Sequence, residues 1–112
     1  MLRRFSFRSS AEGFERAYKT GDLVPTWRFD DLEIVTGERI EGACTDGAVF
    51  ILEVASCDSY PVTNVPDEVS GRLGFANHFA LATVLRDLNP GLSENERVFV
   101  ICYKVLGRRG VP

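Results

Sequence analysis

Apolar and polar positions alternate between Leu2 and Arg8, where Leu2, Phe5 and Phe7 sit among arginines and serine, and this spacing predicts a first strand. The period then changes. Phe14, Ala17 and Tyr18 recur at helical spacing and predict one buried stripe on a helix that runs to about Thr20. Ser9-Ser10-Ala11-Glu12 reads as a capping box, with Ser9 accepting from the third helical amide and Glu12 reaching back to the cap. Gly21 suits the left-handed residue that ends a helix.

The segment from Leu23 to Trp27 is extended, and Pro25 removes one ladder donor, so its nitrogen cannot sit in the middle of a sheet. Phe29 to Glu33 reads as a turn or short crossing, Thr36 to Arg39 as a turn, and Ile40 to Cys44 as a short strand. Thr45-Asp46-Gly47-Ala48 is a hairpin signal, because Asp-Gly supplies the positive φ angles of a tight primed turn. Val49 to Ala55 follows as a buried strand. Ser56 to Gly74 is polar and punctuated by Pro61, Pro66, Gly71 and Gly74; it reads as the longest irregular stretch and a candidate lid.

Asn77 is an N-cap for a second helix, whose Leu81, Val84, Leu85 and Leu88 predict one buried face. Asn89-Pro90-Gly91 stops it. The near-continuous apolar run from Arg97 to Leu106 predicts a strand covered on both faces, or a barrel strand covered outside by a helix. Together these elements describe an α+β domain: about five or six short strands in a curled sheet or small β-barrel, with two flanking helices.

Composition narrows the function classes. The chain has 112 residues, the size of one compact domain spanning 1–112, and 45% hydrophobic with 26% charged residues argue against wholesale disorder. No apolar run approaches the ~20 residues of a membrane span, so no membrane partner is expected. Met1-Leu2-Arg3-Arg4-Phe5 is basic, but no apolar region follows, so no secretion signal is expected. Cys44, Cys57 and Cys102 are odd in number and lack a C-x-x-C pair, which disfavours a disulfide framework or zinc site and points to the reducing cytoplasm. A net charge of −3 disfavours non-specific coating of long nucleic acid. Such binding would need a local patch, for which Arg3, Arg4 and Arg8, or Lys104, Arg108 and Arg109, are the candidates. A small ligand or a short, specific nucleic-acid contact fits better.

Neither a metal nor a cofactor is expected. The chain has one histidine, scattered cysteines, no carboxylates at ligand spacing, no G-x-G-x-x-G and no P-loop. A nucleophilic cysteine would need a histidine partner, and Cys102 lies in an apolar strand. The candidate ligand-binding residues are Thr26, Arg28, Lys19, Tyr60 and His78. Thr26 and Arg28 share one face of an extended strand while Trp27 takes the other. A hydroxyl beside a planar guanidinium can hold a phosphate, a carboxylate or a carbonyl oxygen. Alternatively, Arg28 pairs with Asp30, Asp31 or Glu53 and only stiffens the fold. Tyr60 either stacks on a base or covers the barrel mouth. His78 either touches a ligand at the helix start or is a half-buried surface residue.

Phe14-x-x-Ala17-x-x-x-Gly21-x-x-x-x-Thr26-x-Arg28 resembles the helix-to-strand signature of ASCH domains, Gly-x-Lys-x-x-Thr-x-Arg. The order Leu73-Gly74-Phe75-Ala76-Asn77, then Leu88-Asn89-Pro90-Gly91, then Arg97 to Leu106, resembles the same family, so the likeness spans roughly residues 14 to 106. It implies a PUA-like β-barrel with flanking helices and a ligand that is RNA, a nucleotide or a modified nucleoside. Some small bacterial ASCH proteins are amidohydrolases that deacetylate acetylated cytidine with a Lys, a Thr and a Glu in one cleft. Carried over, the Thr falls on Thr26 and the Arg on Arg28, but the Lys falls on Leu23 and the Glu on Gly74. Lys19 and Glu68 are the nearby residues of the right type. The resemblance therefore implies binding more than catalysis. The alternatives are an amidohydrolase or ribonuclease with a rearranged site, and a protein-interaction module.

Overall fold

The computed structural model describes residues 2–93 and 95–109. The element order is β1 (Arg4–Ser6), α1 (Ala11–Thr20), β2 (Val24–Arg28), β3 (Arg39–Ala43), β4 (Val49–Pro61), α2 (Asp67–Arg72), α3 (His78–Leu88) and β5 (Arg97–Arg108). The strands form one sheet in the order β1-β3-β4-β5-β2. It is mixed: β1 pairs with β3 in parallel, Arg4 opposite Glu41, and β3 with β4 antiparallel, Ile40 opposite Leu52. This is an α+β fold, as the sequence predicts, with β5 inside the sheet where its apolar run requires.

The β-barrel is corrected. The sheet ends at β1 on one side and β2 on the other, and no pairing among the described residues joins them. Closure needs tilted edge strands long enough to share a ladder, and β1 contributes only three residues.

The two flanking helices are corrected to three among the described residues, because the expected lid at Ser56 to Gly74 is mostly regular. Strand β4 continues to Pro61, and Asp67–Arg72 forms α2. Pro66 followed by Asp67 and Glu68 is a helix-start signal that the polar reading of this stretch overlooked.

The chain forms two compact units. The first comprises residues 1–24, 33–57 and 101–112, the second 25–32 and 58–100. In the first, aromatic rings knit the core: Phe7 meets Phe14 and Tyr103 edge-on at 5.5 and 5.4 Å, and Phe14 meets Phe50 at 5.3 Å. Edge-to-face pairs add to the burial of apolar area. Phe14 and Ala17 of α1 are buried as predicted, but Tyr18 is 55% exposed, off the stripe.

Helix α1 ends as expected, with Gly21 at φ 80° donating its N–H to Ala17 O at 2.9 Å. Its start differs. Ser10 occupies the N-cap without a side-chain bond, and the Ala11 N–H is instead accepted by Asp46 Oδ2 at 3.1 Å. The hairpin also differs from the primed turn. Gly47 alone has positive φ (87°), Cys44 O accepts the Gly47 N–H, and the Cys44 N–H goes to Ala48 O. This is the wider loop, a turn closed by a left-handed glycine bulge, and it leaves the Asp46 side chain available to α1.

In the second unit, Val62, Val65, Leu81, Leu85 and Val98 form the buried centre, with Trp27, Phe29, Tyr60, Val69 and Phe75 packed against it. On α3, Leu81 and Leu85 are buried as the spacing predicts, Val84 is half-buried, Ala82 is buried in addition, and Leu88, the last residue of the helix, is 52% exposed. Asn77 caps α3, its side chain accepting the Ala80 N–H at 3.0 Å.

Candidate functional site

Of the five candidate ligand residues, Thr26, Arg28, Tyr60 and His78 fall in the second unit, while Lys19 falls in the first. Strand β2 is five residues long and lies at the end of the sheet. Alternation gives its two faces different work. Trp27 and Phe29, ring centroids 5.6 Å apart, pack on the unit's core. Thr26 and Arg28 occupy the opposite face, both half-buried. A half-buried guanidinium keeps five donors in a rigid fork, so it recognises planar or tetrahedral oxyanions and carbonyls with defined geometry. Tyr60 is half-buried near the end of β4, and its ring packs against the core cluster.

His78 has a partner that the sequence did not reveal. Asp67 Oδ1 accepts the His78 backbone N–H at 2.9 Å and lies 2.8 Å from His78 Nδ1. The Asp67 carboxyl is held below the usual carboxylate range, first by the His78 backbone N–H and then by the ring. An ionised carboxylate only accepts, so Nδ1 is the donor in this contact. The neighbouring Phe79 is 71% exposed, its ring centroid 4.0 Å from that of His78. Asp67 and His78 open two different helices, α2 and α3, and no periodicity links residues so placed.

The positions that the ASCH signature assigns to Lys and Glu remain without such groups. Leu23 is about half exposed. Gly74 has φ 91°, a left-handed conformation in which any side chain is strained. Of the nearby residues, Glu68 pairs with Arg72 one helical turn away at 2.6 Å, in the second unit, and Lys19 lies in the first. Among the described residues, no group of three or more His, Cys, Asp or Glu is placed to hold a metal ion. Cys44 and Cys102 are buried thiols, and burial pushes the Cys44 thiol up, away from the thiolate a nucleophile needs. No described helix is long and apolar enough to cross a membrane.

In the first unit, a depression of about 510 Å³ is lined by Glu15, Tyr18 and Lys19 of α1, Phe50 of β4, and Gly107 and Arg108 of β5. Lys19 is the sequence candidate that lines it. By sequence, Tyr18 belongs to the buried stripe of α1 and Arg108 to a candidate basic patch with Lys104 and Arg109. A three-dimensional neighbourhood of α1 with the end of β5 leaves no local pattern to find.

No family model matches the chain, and no curated protein matches it at a significant level. The architecture does have a solved counterpart. The chain shares its fold with a protein of Enterococcus faecalis, EF3133, described by the family model DUF984, at a TM-score of 0.58 and 12% sequence identity. The match covers 100% of this chain and 86% of that one. At that identity the likeness defines a fold class, a small α+β domain, and nothing finer.

Proposed function

We propose that this chain is a PUA-like, ASCH-type domain that binds a nucleotide, a modified nucleoside or a short RNA segment through the Thr26–Arg28 face of β2. One observation carries the reading: a hydroxyl and a guanidinium sit half-buried on one face of a short strand whose other face is pinned by Trp27 and Phe29. A strand anchored in this way keeps both groups in place before the ligand arrives, which limits the ordering cost of binding. The likeness of Gly21, Thr26 and Arg28 to the ASCH signature, together with the moderate acidity of the chain, favours a small ligand over long nucleic acid. Titration of wild type and of Arg28→Lys and Thr26→Val with nucleosides, nucleotides and short RNAs tests it. Unchanged affinity in both variants makes the pair scaffold. Weak binding to every nucleic probe at low salt favours a protein-interaction module.

A second reading, an amidohydrolase or ribonuclease with a rearranged site, is favoured by Asp67 and His78. That pair supplies an oriented base where Leu23 and Gly74 supply none. The binding reading expects no deacetylation of acetylated cytidine above a buffer blank. Turnover that disappears in His78→Asn would replace it with the catalytic one.

A further inference from the structure

We infer that the depression on the first unit is a second ligand site, independent of β2, for a flat ring carrying a phosphate, as in a nucleoside monophosphate. Its volume of about 510 Å³ lies within the ~300–1,000 Å³ typical of small-molecule sites. Three features set the chemistry. Phe50, 1% exposed, forms a rigid apolar floor, and the Arg108 guanidinium carbon lies 6.0 Å from its ring centroid. Tyr18 places a 55% exposed aromatic ring at the rim, a surface on which a base or similar ring can stack. Lys19 and Arg108 bring two positive charges against the single negative charge of Glu15, leaving the lining net positive in a chain of net charge −3.

The resting contact explains how an anion enters. Arg108 Nη1 pairs with Glu15 Oε1 at 3.1 Å, and both side chains are 44% exposed. A pair so accessible to water is worth little, so a phosphate can take the Arg108 fork from Glu15 at small cost. Lys19, one turn along α1 from Glu15, then supplies the second cation as a point charge. No bond is made or broken; the step is exchange of one carboxylate for one phosphate.

The test uses the full chain with adenosine monophosphate, adenosine, ribose phosphate and inorganic phosphate, followed by calorimetry or by amide shifts of α1 and β5. The expected result is saturable binding of adenosine monophosphate that weakens with salt and exceeds adenosine and ribose phosphate. Lys19→Gln and Arg108→Gln should each weaken it by about tenfold, the equivalent of one charge-assisted hydrogen bond. Tyr18→Ala should weaken the nucleotide and not inorganic phosphate. Glu15→Gln should strengthen binding by removing the competing carboxylate, a gain that a merely structural role would not produce. All four side chains are at the surface or half-buried, and circular dichroism of each variant checks that the fold persists. Absence of saturable binding, or binding indifferent to Lys19 and Arg108, overturns the inference. Loss of the same binding in Arg28→Lys overturns it too, since there would then be one site, on β2. Failure here leaves the β2 titrations to be judged on their own.

Discussion

One oxygen of Asp67 serves His78 twice, accepting its backbone N–H at 2.9 Å and facing its ring Nδ1 at 2.8 Å. The first bond satisfies an amide at the start of α3 that has no partner within its helix, and the second orients the imidazole ring. Together they tie the first residue of α2 to the first residue of α3. The folded-state pKa of Asp67 is therefore lowered. A lowered carboxylate contributes stability above its unfolded pKa and loses that contribution as pH falls through the folded pKa. Asp67→Asn should melt below wild type at neutral pH, with the gap closing under acid. A melting series across the acid range checks this, and a gap independent of pH would mean that shape, not charge, holds the clamp.

Asp46 does for α1 what the expected cap does not. Its Oδ2 accepts the Ala11 N–H at 3.1 Å and its Oδ1 the Ala48 N–H at 3.3 Å, so a hairpin side chain starts a helix distant in sequence. Asp46→Ala should lower the melting temperature. Ser9→Ala and Ser10→Ala should leave it nearly unchanged, because neither hydroxyl caps α1. Equal effects at the three positions would restore the local capping box.

Leu85 has no exposed surface and sits at the centre of the second unit's core. Leu85→Ala removes its methyl groups and leaves a cavity, at an expected cost of about 2–5 kcal/mol. Leu88→Ala, at a half-exposed position on the same helix, should cost far less. Chemical denaturation of the two variants separates them.

Gly42 sits where the first unit's core leaves no room for a side chain. A Cβ there would lie 2.7 Å from Leu52 Cδ1 and 2.9 Å from Phe7 Cε2. Leu52 is fully buried and Phe7 is locked against Phe14 and Tyr103, so neither can swing aside. Gly42→Ala should destabilise by about 1–3 kcal/mol through overpacking, read from its denaturation midpoint.

At β2, Thr26→Val keeps the side-chain shape and removes the hydroxyl. If Thr26 bonds the ligand, affinity should fall by about 0.5–1.5 kcal/mol, the net worth of one hydrogen bond. Arg28→Lys keeps the charge and loses the fork, so it should weaken binding with the fold intact. A lowered melting temperature in Arg28→Lys with unchanged affinity would show that Arg28 braces the fold.

Where structure follows from near neighbours, the sequence alone determined it. Gly21 ends α1 because a left-handed residue costs least there, Asn77 caps α3, Asn89-Pro90-Gly91 stops it, and Leu81 and Leu85 are buried because helical spacing puts them on one face. The apolar run of β5 required cover on both faces, and successive Ile101, Cys102 and Tyr103 are all buried. Alternation likewise set Thr26 and Arg28 opposite Trp27. The tertiary structure decided what depends on partners far along the chain. Whether the sheet closes turns on the length and pairing of β1 and β2, which no local period encodes. Asp46 displaced a capping box because a distant carboxylate reached the α1 amide. Tyr18 and Lys19 became the wall of a depression only because Arg108 arrives beside them from the last strand. The Asp67–His78 clamp needs two helices brought end to end, an arrangement fixed by packing around Val65, Leu81 and Leu85 and not by spacing along the chain.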